Sequence, residues 1–330
     1  MRKYCNYLEK CMAILLAMVL ACAATGCGEF LDDEEYYGDE SYEDSYDAEA
    51  ADDDADYSSS DMDLSDDAQF PFGSCKMLDG KLVLVSIFAN DATSSWDFAN
   101  SEEDVNMLNR MATQTRIGCD WIEQQAAAYG RNVEIISDFN ADNELYYQMT
   151  INADLDDNQY HIDETKGYIY MELGGVGEHL MEKYDADNIC FAFYLNKPAS
   201  SQMTSVAYEY LGQDMMMDLP YECVFYAAHV CGEEQGPAMY AHEILHCFGA
   251  PDLYMANTSI EPICISQEFS DYCRENYINE IMFSNYDVYN SCINNEAVTN
   301  ELTDITAYYL GWIDYCEVCD QFGALDREDK

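Results

Sequence analysis

The chain has 330 residues, long enough for one large or two modest domains, and its 65 acidic side chains against 14 lysines and arginines give a formal net charge of −51. So negative a surface repels phosphate backbones and anionic lipid, which argues against nucleic acid as a partner. It favours cations and basic or neutral substrates instead.

The first 27 residues have the order of an export signal. Basic residues precede the apolar run CMAILLAMVLACAA, and small residues end in ATGC. The run is short for a bilayer span and acidic residues follow it, with a single-pass anchor as the alternative. The residues before Cys27 resemble the bacterial lipoprotein signal, which implies a lipid on Cys27 and a tether to the outer face of the cell membrane. Ala24 departs from that signal's preference for a larger aliphatic residue, and Cys22 is the second candidate.

Residues 28–75 are predicted to be a disordered acidic linker. Between Gly28 and Gln69 there are 19 acidic residues, no lysine or arginine, and no helical or strand period. Such a segment suits a spacer between membrane and domain, and a binding tail for cations or basic partners is the alternative. The domain that follows, 76–330, retains 45 acidic and 11 basic side chains, a charge of about −34.

The segment 76–330 reads as one α/β domain. Buried strands are predicted from apolar, β-branched runs at 81–89, 132–139, 189–196 and 223–230. A long amphipathic helix is predicted over 101–129, since Ser101 and the acidic residues after it are typical of a helix start. A second helix is predicted to begin near Pro237 and to end near Gly249.

The stretch HEILHCFGAPDLY lies on this second helix and has the spacing of a metal site. Residues four apart share a helix face, so His242 and His246 can present their rings to one ion. Glu243 is placed to meet water beside the ion as a base. Gly249 can adopt the left-handed conformation that ends a helix, which brings Asp252 back as a third ligand. Three protein ligands and an open position are what a catalytic Zn²⁺ requires.

The same stretch resembles the extended signature HExxHxxGxxH/D of metzincin-type zinc metallopeptidases, in the aspartate variant of snapalysin, and its FGAPDLY ending is similar to the immune inhibitor A group. The resemblance implies that His242, His246 and Asp252 bind Zn²⁺ and that Glu243 is the general base and acid. It also implies an α+β zincin-like fold. That fold has a twisted mixed sheet, a long helix and an active-site helix, then a mainly helical and loop C-terminal subdomain.

Metzincins also have a methionine in a tight turn beneath the metal. The segment NEIMFSNYDVY supplies Met282, 36 residues after the second histidine, although an ordinary core role stays open. LTDITAYYLGWID is similar to the Leu-Gly-Trp segment that follows the turn in immune-inhibitor-type enzymes. Some metzincins have a tyrosine two residues beyond the methionine, where this chain has Ser284. Tyr286 is then the candidate oxyanion donor, Tyr289 is the second, and packing or surface exposure is the alternative.

The other histidines and the cysteines have less specific patterns. His161, His179 and His229 match nothing in the signature and are interpreted as structural or solvated, with His229 the candidate exception because it ends a strand just before the active helix. Cys247 is interpreted as core packing. Disulfide pairs compatible with the spacing are Cys223 with Cys231, Cys264 with Cys273, and Cys316 with Cys319, and a metal role for CEVC is the alternative for the last pair. Cys75 is interpreted as a packing or disulfide residue, with capping of the zinc before activation as the alternative.

The predicted protein is a monomeric, exported, membrane-tethered zinc endopeptidase that cleaves protein or peptide substrates. We expect the substrate to pair with an exposed strand edge at 223–230. Two other functions stay open. One is a non-catalytic surface binding or adhesion lipoprotein that keeps a zincin fold, and the other is a structural zinc or calcium protein.

Overall fold

The computed structural model describes residues 78–323, except 153, 156–172, 174, 202, 204–205, 209–221, 231 and 255–264. The predicted export signal, Cys27 and the acidic linker lie outside the described residues. All described residues belong to one compact unit of the chain. In this described part, no helix has the length and apolar character needed to cross a membrane.

A mixed sheet forms the centre of the described fold, and β1 (Gly80–Asn90), the apolar run predicted to be a buried strand, is one of its interior strands. The other strands of this sheet are β2 (Val133–Ile136), β3 (Tyr146–Thr150), β4 (Asn188–Leu195), β5 (Val206–Tyr208) and β6 (Glu222–Ala227). Strands β2 and β3 pair in parallel with successive halves of one edge of β1, and β4 pairs in parallel with its other edge. Strand β6 is parallel to β4, and β5 is antiparallel to β6. The predicted mixed α/β sheet is therefore confirmed.

The expectation that 223–230 offers an exposed edge is wrong. Strand β6 pairs with β4 on one side and with β5 on the other, and all six of its residues are buried. Burial on both faces is typical of a central strand. The chain leaves the sheet at Ala228, and His229–Val230 (β7) pairs with Glu233–Glu234 (β8) in a separate hairpin.

Helices cover both faces of the sheet. They are α1 (Glu102–Ala128), α2 (175–184), α3 (Pro237–His246), α4 (Gln267–Asn276), α5 (Asp304–Tyr309) and α6 (Glu317–Gln321). Because alternate strand residues point to opposite faces, the sheet builds two cores. Leu84 and Tyr194 belong to the core shared with α1, α3 and the C-terminal helices. Val85 and Phe193 belong to the core shared with α2.

Helix α1 begins where the sequence predicts. The Ser101 side chain accepts a hydrogen bond from the backbone N–H of Asp104. Three acidic residues lie in the first turn, where their negative charges interact favourably with the positive end of the helix dipole. Its buried stripe includes Met111, Cys119 and Ile122. This stripe packs α1 against α3, the helix that carries the histidines.

Gly118 lets α1 and α3 approach closely. A Cβ atom at this position would lie 2.9 Å from the carbonyl oxygen of Pro237 and 3.1 Å from the backbone nitrogen of Ala241, so relief would require the helices to separate. We expect Gly118→Ala to lower the free energy of unfolding by about 1–3 kcal/mol, measured by urea denaturation. Gly175→Ala is the control, because a Cβ there meets nothing within 4 Å and alanine favours the helix. Unchanged stability of Gly118→Ala would contradict the close packing.

Candidate metal centre

Helix α3 places the two signature histidines and then turns the chain back. Pro237 occupies the first turn, where its missing N–H and fixed φ suit a helix start. The helix ends at His246, and Gly249 has φ +94°, a conformation that favours glycine. The N–H of Ala250 donates to the Leu245 carbonyl at 3.2 Å, which closes the helix end. The reversal brings Asp252 back to the face that carries the histidines.

Three side-chain atoms converge at this reversal. His242 Nε2 lies 3.0 Å from His246 Nε2, and Asp252 Oδ1 lies 3.1 Å from the first and 3.3 Å from the second. Their side chains are 4 %, 14 % and 21 % exposed, in the order His242, His246, Asp252. Among the described residues, this is the one group of three or more histidine, cysteine, aspartate or glutamate side chains whose ligand atoms lie close enough together to share an ion.

The other ring nitrogens fix the orientation of both imidazoles. His242 Nδ1 donates to the Ile281 carbonyl at 2.9 Å, and His246 Nδ1 donates to the Ala250 carbonyl at 2.7 Å, since a carbonyl can only accept. In the neutral rings both Nε2 lone pairs therefore point into the cluster, toward a carboxylate. Asp252 Oδ1 is fully buried and receives no hydrogen bond there. Three converging acceptors repel each other unless a cation or a proton sits between them.

The electrostatics of the cluster agree with this interpretation. Burial lowers the pKa of His246, but the negative charge of Asp252, whose Oδ1 lies 3.3 Å from the ring nitrogen, outweighs burial and raises that pKa to about 9. Burial also acts to raise the pKa of Asp252, yet the rings of His246 and His242 hold it well below its usual range. The cluster thus stabilises a positive charge at its centre.

A tetrahedral Zn²⁺ ion fits this donor set. With bonds of about 2.0–2.1 Å, neighbouring ligands of such an ion lie about 3.3 Å apart, close to the separations seen here. Imidazole nitrogens suit zinc and other late transition metals, whereas Ca²⁺ requires six to eight oxygen ligands. The backbone carbonyls that hold both Nδ1 atoms are the outer-shell partners that metal-binding histidines usually have.

Glu243 lies beside the cluster without joining it. The residue is 5 % exposed, and it is absent from the group of converging ligand atoms. Its charge contributes to the raised pKa of His246, so its carboxylate is close to that ring. A buried carboxylate next to an open metal position can accept and return a proton.

Met282 lies in a tight turn that contacts the site from the C-terminal part of the chain. The side chain is fully buried, and the N–H groups of Phe283 and Ser284 both donate to the Glu280 carbonyl, at 3.0 and 2.9 Å. The Met282 carbonyl accepts from the N–H of Leu253 at 2.9 Å, next to Asp252. The turn thus supports His242, through the Ile281 carbonyl, and the returning chain, through the Met282 carbonyl.

Glu280 organises this turn, a role that was not predicted from the sequence. Its carboxylate is 1 % exposed and accepts from the Met282 N–H at 2.5 Å, from Thr306 Oγ1 at 2.5 Å and from the Thr303 N–H at 3.4 Å. Thr306 on α5 and Thr303, which caps the start of that helix, lie more than 20 residues away along the chain, so no local motif marks them. One signal was readable, because Glu280 directly precedes the apolar residues Ile281, Met282 and Phe283, and a glutamate that becomes buried with them needs hydrogen-bond partners.

The protonation of Glu280 makes stability pH-dependent. Burial raises the pKa of Glu280 to about 7, although hydrogen bonds from Thr306, Met282 and Thr303 oppose the shift. The folded state therefore binds the proton more tightly than the unfolded chain, and stability falls as the pH rises from about 4.5 to above 7. The comparison is between metal-free wild-type protein and metal-free Glu280→Gln. We expect the stability of the variant relative to the wild type, measured as the free energy of unfolding, to increase by up to about 3 kcal/mol between pH 4.5 and 8.

Denaturant titrations across this pH range measure the difference. The control is Glu301→Gln, because Glu301 is exposed and its backbone forms a β-bridge with that of Glu280. Parallel curves for the wild type and Glu280→Gln would contradict the raised pKa.

One tyrosine near the cluster, Tyr254, is not among those that the sequence suggested as oxyanion donors. Tyr286 is 39 % exposed, and its backbone is held by Ser284 Oγ and Asn300 Nδ2. Tyr289 is 76 % exposed. Tyr254 instead has its ring 6.5 Å from that of His242 and inclined by 19°. No role was predicted for Tyr254 from the sequence, although it is the last residue of HEILHCFGAPDLY.

The remaining histidines lie outside the converging group. His179 is on α2 and pairs with Glu144 at 2.8 Å. His229 Nδ1 lies 3.1 Å from the Lys197 carbonyl, which is a structural role. Cys247 is fully buried in the core next to α1 and α3. His161, Cys75 and the pairing partners Cys231 and Cys264 lie outside the described residues.

The comparisons with known proteins add no family. No protein-family model matches this chain, and no curated protein gives a significant sequence match. Function is therefore inferred from the cluster itself.

Proposed function

We propose that the protein is a zinc-dependent endopeptidase of metzincin type. The observation that carries this proposal is the convergence of His242 Nε2, His246 Nε2 and Asp252 Oδ1 within 3.3 Å, with both Nδ1 atoms held by carbonyls and no donor for the buried oxygen. Two neutral imidazoles and one carboxylate leave the fourth position of a tetrahedral ion open. An open position is the mark of a catalytic site, since structural zinc sites are closed by four protein ligands.

The residues of this chain supply the proton transfers. When bound, Zn²⁺ would supply Lewis-acid chemistry: it would lower the pKa of a water molecule and stabilise the negative charge that develops on the carbonyl oxygen. Glu243 takes the proton from the attacking water and returns it to the leaving amine nitrogen. The Ile281 and Ala250 carbonyls keep the two histidine rings in the orientation that ligation requires. Burial of Glu243 keeps competing bulk water away from the proton it holds.

An extended peptide substrate pairs along β5 in this proposal. Strand β5 is the outermost strand at this end of the described sheet, is antiparallel to β6, and lies against α3. Main-chain hydrogen bonds along such an edge position a scissile peptide without demanding a particular sequence. The acidic domain favours basic or neutral substrates. We further propose export and lipid anchoring through Cys27, with the acidic segment as a spacer.

Removal of the metal tests the proposal. Purified protein treated with 1,10-phenanthroline is expected to lose casein and peptide hydrolysis and to regain it when Zn²⁺ is added after the chelator is removed. Metal content is measured by mass spectrometry in parallel. A protein that binds zinc but cleaves no peptide library would support the non-catalytic binding lipoprotein instead.

A further inference from the structure

A second chemical site lies away from the metal cluster, in the C-terminal segment. Two residues separate Cys316 from Cys319, a spacing of about one helical turn. Both cysteines are buried, at 3 % and 2 % exposure. Cys316 precedes α6, and its sulfur accepts a hydrogen bond from the Cys319 N–H at 3.3 Å. This bond brings the Cys316 sulfur against the residue that carries the second thiol. In this structure both residues are free thiols.

Within the part of the chain that the structure describes, no group of metal ligands includes this pair. Cys273 on α4 is also buried in the same core. Among the described residues, however, these three sulfurs do not come close enough together to form a three-ligand group. A structural zinc site would need four such ligands. The pair is therefore better suited to sulfur–sulfur chemistry than to ligation.

The two thiols differ in the way that exchange chemistry needs. The hydrogen bond from Cys319 lowers the pKa of Cys316 to about 7, against the effect of burial. The same contact and burial raise the pKa of Cys319, and burial raises the pKa of Cys273 to about 12. A thiolate is the nucleophile in thiol–disulfide exchange, and attack is most effective when its pKa is near the ambient pH. Cys316 is thus the attacking sulfur and Cys319 the resolving one.

We propose that Cys316 and Cys319 form a redox-active dithiol that exchanges with small-molecule disulfides and closes into an intramolecular disulfide. The Cys316 thiolate attacks one sulfur of the disulfide, forms a mixed disulfide and expels one thiolate. Cys319 then loses its proton to water or buffer and attacks the Cys316 sulfur, which expels the second thiolate. The protein loses two electrons and two protons, and the small disulfide is reduced to two thiols.

The surface around the pair selects the charge of the oxidant. Asp314, Glu317 and Asp320 are exposed on the residues that flank and separate the two cysteines. Their field attracts a cationic disulfide and repels an anionic one, and salt screens it. We therefore infer that the preferred partner is a cationic or neutral disulfide. This inference does not depend on the proposed peptidase activity.

The test uses the reduced full-length protein with three oxidants at low ionic strength: cystamine, hydroxyethyl disulfide and oxidised glutathione. Acid quenching, alkylation and peptide mass spectrometry locate the product. We expect the peptide containing residues 316–319 to lose two hydrogen atoms, at a rate about tenfold higher with cystamine than with oxidised glutathione, and we expect the rates to converge in about 1 M salt. Exposed Cys292 provides the reference for an accessible thiol.

Two variants separate the roles of the sulfurs. Cys319→Ser is expected to stop at a mixed disulfide on Cys316, and Cys316→Ser is expected to leave Cys319 alkylatable. The triple variant Asp314→Asn, Glu317→Gln, Asp320→Asn should close its disulfide with little preference for the charge of the oxidant. The proposal is overturned if both wild-type cysteines stay alkylatable with all three oxidants, if the bond joins Cys273, or if the adduct forms on Cys319. The wild-type mapping decides the matter even if a variant fails to fold.

Discussion

Replacing Glu243 with glutamine is expected to lower the turnover of peptide hydrolysis about a hundredfold or more while the bound zinc is unchanged. Glutamine keeps the size of the side chain but cannot take a proton from water, and removal of a general base costs a factor of about 10² to 10⁴. Because Glu243 does not belong to the group of converging ligand atoms, the metal content should match that of the wild type. Steady-state kinetics and metal analysis of the same preparation measure both quantities.

Glu233→Gln is the matched control for this change. Glu233 lies on the exposed strand β8, ten residues before the proposed base, and its replacement should leave turnover within about twofold. If Glu243→Gln retained full turnover, another group would have to move the proton. Loss of zinc together with activity would instead make Glu243 part of the metal coordination.

Replacing Asp252 with alanine is expected to abolish both zinc binding and hydrolysis. The carboxylate supplies one of three ligand atoms and the only negative charge among them, so its loss leaves two imidazoles on an α-helix that bind the ion weakly. We expect zinc affinity to fall by more than about a hundredfold, measured by competition with a chromogenic chelator. Asp252→Asn separates charge from shape, because an amide oxygen fills the same space without the charge.

Asp271→Ala is the control for this second change. Asp271 is an exposed aspartate on α4 that pairs with Arg274 at 2.6 Å, and its loss should leave zinc binding unchanged. Unchanged zinc affinity in Asp252→Ala would move the third ligand to another side chain. Glu261, which lies outside the described residues, is the next acidic candidate in the sequence.

The parts of the fold that were predictable have local signals. The apolar run at 81–89 forms the buried interior strand β1, and the cap at Ser101 marks the start of α1. The three proposed ligands lie within eleven residues of one another, so helical periodicity and one glycine with positive φ were enough to predict their meeting.

Other features depend on pairing between distant segments. Strand β6 looks the same in sequence whether it is central or at an edge, and only the pairing of β5 at Val206–Tyr208 decides the matter. Strand β3 has the sequence YYQMT, in which each residue is partly or fully exposed, so its apolar signal is weak. The contact of Glu280 with Thr306 and the stacking of Tyr254 on His242 arise from tertiary folding. Such contacts leave no period in the sequence.

X-ray absorption at the zinc edge of the purified protein tests the central claim most directly. The geometry predicts first-shell scattering from nitrogen and oxygen alone at about 2.0–2.1 Å, with the outer-shell pattern of two imidazole rings, and loss of this spectrum in Asp252→Ala. A first shell containing sulfur at about 2.3 Å, or a single imidazole, would contradict a site built from His242, His246 and Asp252.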